Sequence, residues 1–231
     1  MNYVITPPEQ ASVAVTGTEQ RFPVHRIYCV GRNYADHARE MGSSGREAPF
    51  FFTKPADAVL SAVADQVITM PYPTLTGDLH HEIELVAAIG KGGSDIAVAD
   101  APGHIWGYAV GLDMTRRDLQ ADAKKLGRPW CIAKGFDASA PIAPITPVAQ
   151  AGDIAHAEIW LKVNGEARQS GRIEQMIWNL AEVVSHLSRA WQLAPGDLIY
   201  TGTPAGVGAV QRGDVLEGGI TGLTPLHVRV A

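Results

Sequence analysis

The chain is poor in cysteine, in excess charge of either sign and in long apolar runs, and each shortage excludes a class of protein. Only Cys29 and Cys131 occur among 231 residues, far apart and without metal-type spacing, so neither a disulfide framework nor a zinc site is indicated. Lys and Arg number 19 against 24 Asp and Glu, with no basic cluster interleaved with aromatics, which argues against a nucleic-acid surface. No apolar stretch approaches the roughly 20 residues that cross a bilayer. Residues 1–10 lack the basic start and apolar centre of a secretory signal. A cytoplasmic protein is therefore expected, with neither nucleic acid nor membrane as a partner. Cys131 lies two residues after Pro129 and close to Lys134, and a nearby cation can activate a thiol. With no local histidine to act as base, the plainer reading is a buried or half-buried thiol.

What is present suits one sizeable core, since 46% of residues are hydrophobic. Short apolar runs separated by Gly, Pro and Asp, with few helical patterns between them, predict a strand-rich α+β fold. The expected strands cover 13–15, 26–30, 50–53, 82–89, 106–112, 158–163 and 198–201, with an alternating closing strand over 225–230. Asn164-Gly165 between two such runs is the dipeptide of a type I′ hairpin, where both turn residues need φ > 0. Leu180, Val183, Val184, Leu187, Ala190 and Trp191 recur at helical spacing after Asn179, a good N-cap, and before Pro195-Gly196. Residues 33–41 form a shorter, polar helical pattern followed by the loop-like Gly42-Ser43-Ser44-Gly45, suited to a movable cover. The proline-rich 141–147 is expected only to connect elements.

The chemistry begins with Glu82 and Glu84, which stand on one face of an otherwise apolar strand. Two like charges buried together cost several kcal/mol each unless a cation or protons compensate, and a divalent metal is the natural compensation. The alternative is a solvent-facing edge paired with surface Lys or Arg. Asp113 ends the apolar run 107–112 and can join them, and three carboxylates suit a hard ion such as Mg²⁺, or Mn²⁺ in its place. His80 and His81 point opposite ways from such a strand, so one is at most a supporting group.

His37 and Glu40 lie three apart on the predicted helix, a spacing that lets a carboxylate raise the basicity of an imidazole, or equally makes a routine surface contact. Lys134 is a lone cation in an apolar setting, which implies a charged partner or a task. A helix starting near Thr115 with a Thr-x-x-Asp capping box would put Arg117 and Gln120 on one face, where Arg117 can clamp a carboxylate or make a surface ion pair. The glycine-rich 200–208, which lacks the Lys-Ser/Thr ending of a P-loop, is either a tight turn or an anion cradle with Thr203.

Tyr28-Cys29-Val30-Gly31-Arg32-Asn33-Tyr34-Ala35-Asp36-His37, Phe52-Thr53-Lys54-Pro55, His81-Glu82-Ile83-Glu84, Gly111-Leu112-Asp113-Met114-Thr115-Arg116-Arg117-Asp118-Leu119-Gln120, Ala133-Lys134 and Thr201-Gly202-Thr203-Pro204-Ala205-Gly206-Val207-Gly208 occur in that order. Together they resemble the fumarylacetoacetate hydrolase family, in particular its short bacterial acylpyruvases and fumarylpyruvate hydrolases. The resemblance implies a mixed β-sandwich or roll over 26–231, with 1–25 an extension packed on it.

It also implies Glu82, Glu84 and Asp113 as ligands of Mg²⁺ or Mn²⁺, His37, Glu40 and Lys134 as catalytic groups, and Arg117, Gln120 and Thr203 as contacts of a small 2-oxo acid. A distal substrate carboxylate would need a further cation, Arg32 or Lys54. The expected reaction is hydrolysis of the C–C bond of an acylpyruvate, fumarylpyruvate above all, in a homodimer of an aromatic-catabolism pathway. Oxaloacetate decarboxylation, keto-enol isomerisation, or a noncatalytic keto-acid-binding domain are the rival expectations.

Overall fold

The computed structural model describes residues 2–34 and 47–231. Two large sheets face each other. The first runs in the order β4 (Phe50–Lys54), β3 (Ile27–Gly31), β15 (Leu198–Tyr200), β8 (Ile83–Ile89), β9 (Ile105–Leu112), β11 (Ala140–Ile142) and β5 (Val59–Ser61), with β12 (Thr146–Pro147) also on β9. The second runs β14 (Glu166–Arg172), β13 (Glu158–Val163), β17 (Val215–Ile220), β18 (Leu226–Val230) and β6 (Val67–Met70). β7 (Leu79–His81) pairs with β10 (Thr115–Arg116) on one side and β16 (Gly208–Val210) on the other. The strand-rich α+β expectation holds.

Alternation along β8 explains how the sheets are held. Ile83, Leu85, Ala87 and Ile89 enter the main core between the sheets, with Ile159, Leu161, Leu216 and Val228 opposite. Val86 and Ala88 face a second core with Cys29, Ile142 and Tyr200. All seven residues of β8 are buried, so the strand has no solvent face, and the surface reading of Glu84 is excluded. In the N-terminal segment, β1 (Ser12–Ala14) and β2 (Arg21–Pro23) form a hairpin whose Val13 and Phe22 enter this second core.

The Asn164-Gly165 turn takes φ of 53° and 81° between β13 and β14, as type I′ requires. Helix α3 (Leu180–Ala190) begins on Asn179, whose side chain accepts the Glu182 N–H while the Glu182 carboxylate accepts the Asn179 N–H. Val183, Val184 and Leu187 of this helix are fully buried in the main core.

Three expectations need correction. Helix α1 (Arg117–Lys125) starts two residues late and has no capping box. Thr115 is a strand residue opposite His80, its hydroxyl donates to the Asp113 carbonyl, and Asp118 instead accepts from the Thr76 hydroxyl and the Gly77 N–H. The proline-rich 141–147 supplies β11 and β12 rather than a bare connection. Its sheet bonds run from Ala143 N–H to the Val110 carbonyl and from Ala62 N–H to the Ile142 carbonyl, so neither needs a proline donor. Finally, Cys131 is exposed at the start of helix α2 (Cys131–Lys134), while Cys29 is buried.

Candidate metal centre

Glu84 shares its strand face with Val86 and sits opposite Gly111 of β9. A Cβ on Gly111 would lie 2.5 Å from Val86 and 2.7 Å from the Tyr200 ring, so only glycine fits at this close approach. Glu82 stands in the break between β7 and β8, and its carbonyl accepts the Asp113 N–H at 2.9 Å, which brings the residue after β9 beside it. The outcome is that Glu82, Glu84 and Asp113, all buried, offer oxygens within 4.8 Å of one another.

Basic side chains answer two of these acids. Lys134 lies 2.8 Å from Glu82 and 2.7 Å from Asp113, Arg117 also donates to Glu82, and Lys54 lies 2.8 Å from Asp113. Burial works against the Lys134 ammonium, yet Asp113 and Glu82 more than offset it and hold its pKa above the ordinary lysine value. Glu84 is different. It forms no ion pair among the described residues and accepts the Gly202 N–H at 2.8 Å, and burial together with the Asp113 and Glu82 charges pushes its pKa well above the carboxylate range.

Asp113 Oδ1, although close to Lys54, has no hydrogen bond of good geometry. Negative charge is thus left uncompensated at Glu84, the triad acid with no basic partner among the described residues, and a cation belongs there. Oxygens about 2.1 Å from a common ion lie about 3 Å apart when adjacent and about 4.2 Å when opposite. The all-oxygen chemistry of the triad fits Mg²⁺ or Mn²⁺, and its oxygens, within 4.8 Å of one another, need only a small shift to meet on one ion.

The acids form the floor of a pocket whose polar wall is Arg117, Gln120, Lys134 and Thr203, and whose apolar wall is Phe50, Phe52 and Trp130. Arg117 and Gln120 sit three apart on α1 and are joined by a 2.6 Å hydrogen bond. Gly202, at φ 101°, turns the chain after β15 so that its N–H meets Glu84 and the next side chain, Thr203, lines the pocket. The glycine-rich segment thus cradles an anion that belongs to the protein itself. Asn33 ties this turn to the end of β3 by donating to the Thr201 and Trp178 carbonyls.

Gln169 of β14 decides how Thr203 presents its hydroxyl. Its Oε1 accepts the Ile83 N–H at 3.1 Å and its Nε2 donates to the Pro204 carbonyl at 2.8 Å, which fixes the orientation of the amide. The His81 Nδ1, 2.9 Å from Oε1, must then donate, and the Thr203 Oγ, 2.8 Å from Nε2, must accept. The Thr203 proton is left to donate to another acceptor. Burial lowers the His81 pKa, against the hydrogen bond to Gln169, in keeping with a neutral imidazole.

Of the residues singled out in the sequence, Glu82, Glu84, Asp113, Arg32, Arg117, Gln120, Lys134 and Thr203 are brought together around this pocket. His37 and Glu40 lie outside the described residues. Lys54 does not reach the substrate side. It is buried behind Asp113, donating to the carbonyls of Met114 and Lys134, so its expected role at a distal carboxylate is corrected to holding Asp113. His80 contacts Asp78 and Arg117, and neither it nor His81 belongs to the acidic cluster. Gln169 carried no sequence signal, because the pairing of β14 with β13 in the other sheet brings it here.

A β-sandwich closing over a buried triad of acids defines a class of metal-dependent proteins, and comparison with known families narrows it. Residues 26–231 match the family model described as fumarylacetoacetate (FAA) hydrolase C-terminal, and the chain belongs to this family. It is 57% identical to fumarylpyruvate hydrolase from Pseudomonas aeruginosa, crystallised in complex with Mn²⁺ and pyruvate, with a TM-score of 0.98 over 100% of this chain and 99% of that one. It is 42% identical to the mitochondrial oxaloacetate tautomerase FAHD1 of Bos taurus, over 88% of this chain and 90% of the relative. It is 41% identical to the mitochondrial oxaloacetate decarboxylase of Dictyostelium discoideum, over 86% and 89%.

Proposed function

We propose that this chain is a divalent-metal-dependent hydrolase that cleaves the C–C bond of an acylpyruvate, fumarylpyruvate giving fumarate and pyruvate. The observation that carries this reading is the buried triad Glu82, Glu84 and Asp113 on the floor of a pocket with Arg117, Gln120 and Thr203 as donors, in a chain alike throughout to a fumarylpyruvate hydrolase. Mg²⁺ or Mn²⁺, once held by the triad, withdraws electrons from the oxygens of a 2-oxo acid.

Arg117 and Thr203 hold the carboxylate of the 2-oxo acid end, and Gln120 keeps the guanidinium in place. His37, assisted by Glu40, takes a proton from the water that attacks the distal carbonyl. The C–C bond then breaks with its electron pair going to the pyruvate half, which a proton completes, while water supplies the oxygen of the released acid. Lys134 remains an ammonium, so it acts as a fixed positive charge beside that half and not as a base.

A second reading has support of its own, because relatives over 40% identical are named oxaloacetate tautomerase and oxaloacetate decarboxylase. The shared requirement is a 2-oxo acid whose C3 carries negative charge; water activation at the distal carbonyl is the added requirement of hydrolysis. Pyruvate release from fumarylpyruvate, acetylpyruvate and oxaloacetate, together with the enol absorbance of oxaloacetate, each with Mn²⁺ and with EDTA, decides between them. The highest kcat/KM is expected for fumarylpyruvate, with loss of turnover in EDTA. Faster turnover of oxaloacetate without hydrolysis of either acylpyruvate transfers the assignment to the second reading. A homodimer and a cytoplasmic location belong to the same proposal, tested by light scattering and cell fractionation.

A further inference from the structure

The three rings of the pocket's apolar wall are in contact, Phe50 and Trp130 edge to face with centroids 5.3 Å apart and Phe52 and Trp130 tilted by 60° with centroids 5.6 Å apart. Among the described residues each ring carries one cation. Lys134 lies 5.1 Å from the Phe52 centroid, Arg32 5.8 Å from that of Phe50 and Lys124 5.3 Å from that of Trp130.

These cations are not equivalent. Lys134 is bound to Glu82 and Asp113. Among the described residues Arg32 and Lys124 have no carboxylate partner and the buried Arg32 Nε has no hydrogen bond. Arg32 also sits at φ 58°, a left-handed conformation that a side chain other than glycine rarely adopts. Lys124 follows Arg117 and Gln120 on α1 at i+7 and i+4, so it extends the same helix face outward from the pocket. Burial and the nearby Arg117 and Arg32 charges bring its ammonium pKa down to about 8, with Lys134 adding to this and Glu82 opposing it. Two cations over one aromatic wall, neither with a carboxylate partner among the described residues, repel each other until an anion comes between them.

We propose that Lys124, together with Arg32, binds the second carboxylate of a dianionic 2-oxo acid and makes this pocket selective for dianions over monoanions. The inference deepens the functional reading above and rests on it for the placement of the first carboxylate against Arg117. Lys124 is seven positions along the helix from Arg117, about 10 Å along the axis. An extended seven-carbon dianion spans about 7–8 Å between its carboxyl carbons, from C–C bonds of about 1.5 Å. The pair thus suits a long dianion such as fumarylpyruvate better than four-carbon oxaloacetate.

The test uses two six-carbon 2-oxo acids that lack the scissile 1,3-dicarbonyl unit, 2-oxoadipate with a distal carboxylate and 2-oxohexanoate without one. Titration calorimetry on the Mn²⁺-loaded protein at pH 7 is expected to give at least tenfold tighter binding of 2-oxoadipate. K124M is expected to bring that affinity down to the level of 2-oxohexanoate. K124R is expected to keep the preference and to remove its decline above pH 8, because a guanidinium stays charged there. Equal affinities in the unaltered protein, or an equal loss of both ligands in K124M, overturn the inference. A preference for 2-oxoadipate in a protein that hydrolyses no acylpyruvate sinks the hydrolase reading and leaves the role of Lys124 standing.

Discussion

Replacing Gln169 by leucine tests whether one amide organises the pocket from the opposite sheet. Leucine nearly conserves the volume of this buried side chain, so the effect isolates the four hydrogen bonds to His81, Ile83, Thr203 and Pro204. The Thr203 hydroxyl can turn to another partner. The Ile83 N–H and Pro204 carbonyl are backbone groups that cannot, and the buried His81 Nδ1 has little room to do so. Stranding a buried polar group costs about 1–3 kcal/mol, so with three groups stranded Gln169→Leu should lose about 3 kcal/mol or more, a large part of the 5–15 kcal/mol typical of a folded domain.

Urea unfolding of the metal-free protein measures the loss, and the KM of the variant at a temperature where it stays folded measures the change at Thr203. Thr203→Val should raise KM clearly in the unaltered protein and add little to Gln169→Leu, since both remove the same directed donor. A loss below about 1 kcal/mol, or fully additive effects on KM, refutes the reasoning.

Other expectations follow from the same geometry. Glu84→Gln removes the one triad acid that has no basic partner among the described residues, and should weaken Mn²⁺ binding at least a hundredfold by calorimetry, with turnover lost in parallel. His37→Ala should leave Mn²⁺ affinity intact and lower kcat about 10²-fold or more; unchanged kcat removes His37 from the proposal. Lys124 has a folded pKa of about 8 against about 10.4 when unfolded. The folded state therefore binds fewer protons than the unfolded state between these values, and stability rises with pH across that window. Lys124→Met should flatten this rise and stabilise the ligand-free protein at pH 7 by a few tenths of a kcal/mol after solvent screening. A steeper pH dependence in the variant contradicts the assignment.

The longer elements were legible because their periodicity exceeds local noise. β8, β9, β13 and α3 came from runs of six or more residues whose alternation or helical spacing survives without neighbours. β5, β7, β10 and β16 span two or three residues each and carry no period, so they exist only because a partner strand supplies their hydrogen bonds. The capping box at Thr115 failed for the same reason. Pairing with β7 claims its backbone, and the hydroxyl is buried against Asp113.

The sequence by itself determined which residues are candidates for the centre, because acids in an apolar strand and a lysine in an apolar turn are the places where a charge needs a partner; that β8 is buried on both faces was decided by the packing of the sheets. Only the tertiary structure decided how those charges pair. Lys54 and Lys134 each follow a short run of mostly apolar residues, yet one holds Asp113 from behind and the other faces the pocket. Gln169 reaches the site from the second sheet, and Lys124 in the last turn of α1 places its ammonium over the Trp130 ring. Local preferences act within a few residues, whereas partner choice depends on which chain segments the packing of two sheets brings within about 3 Å.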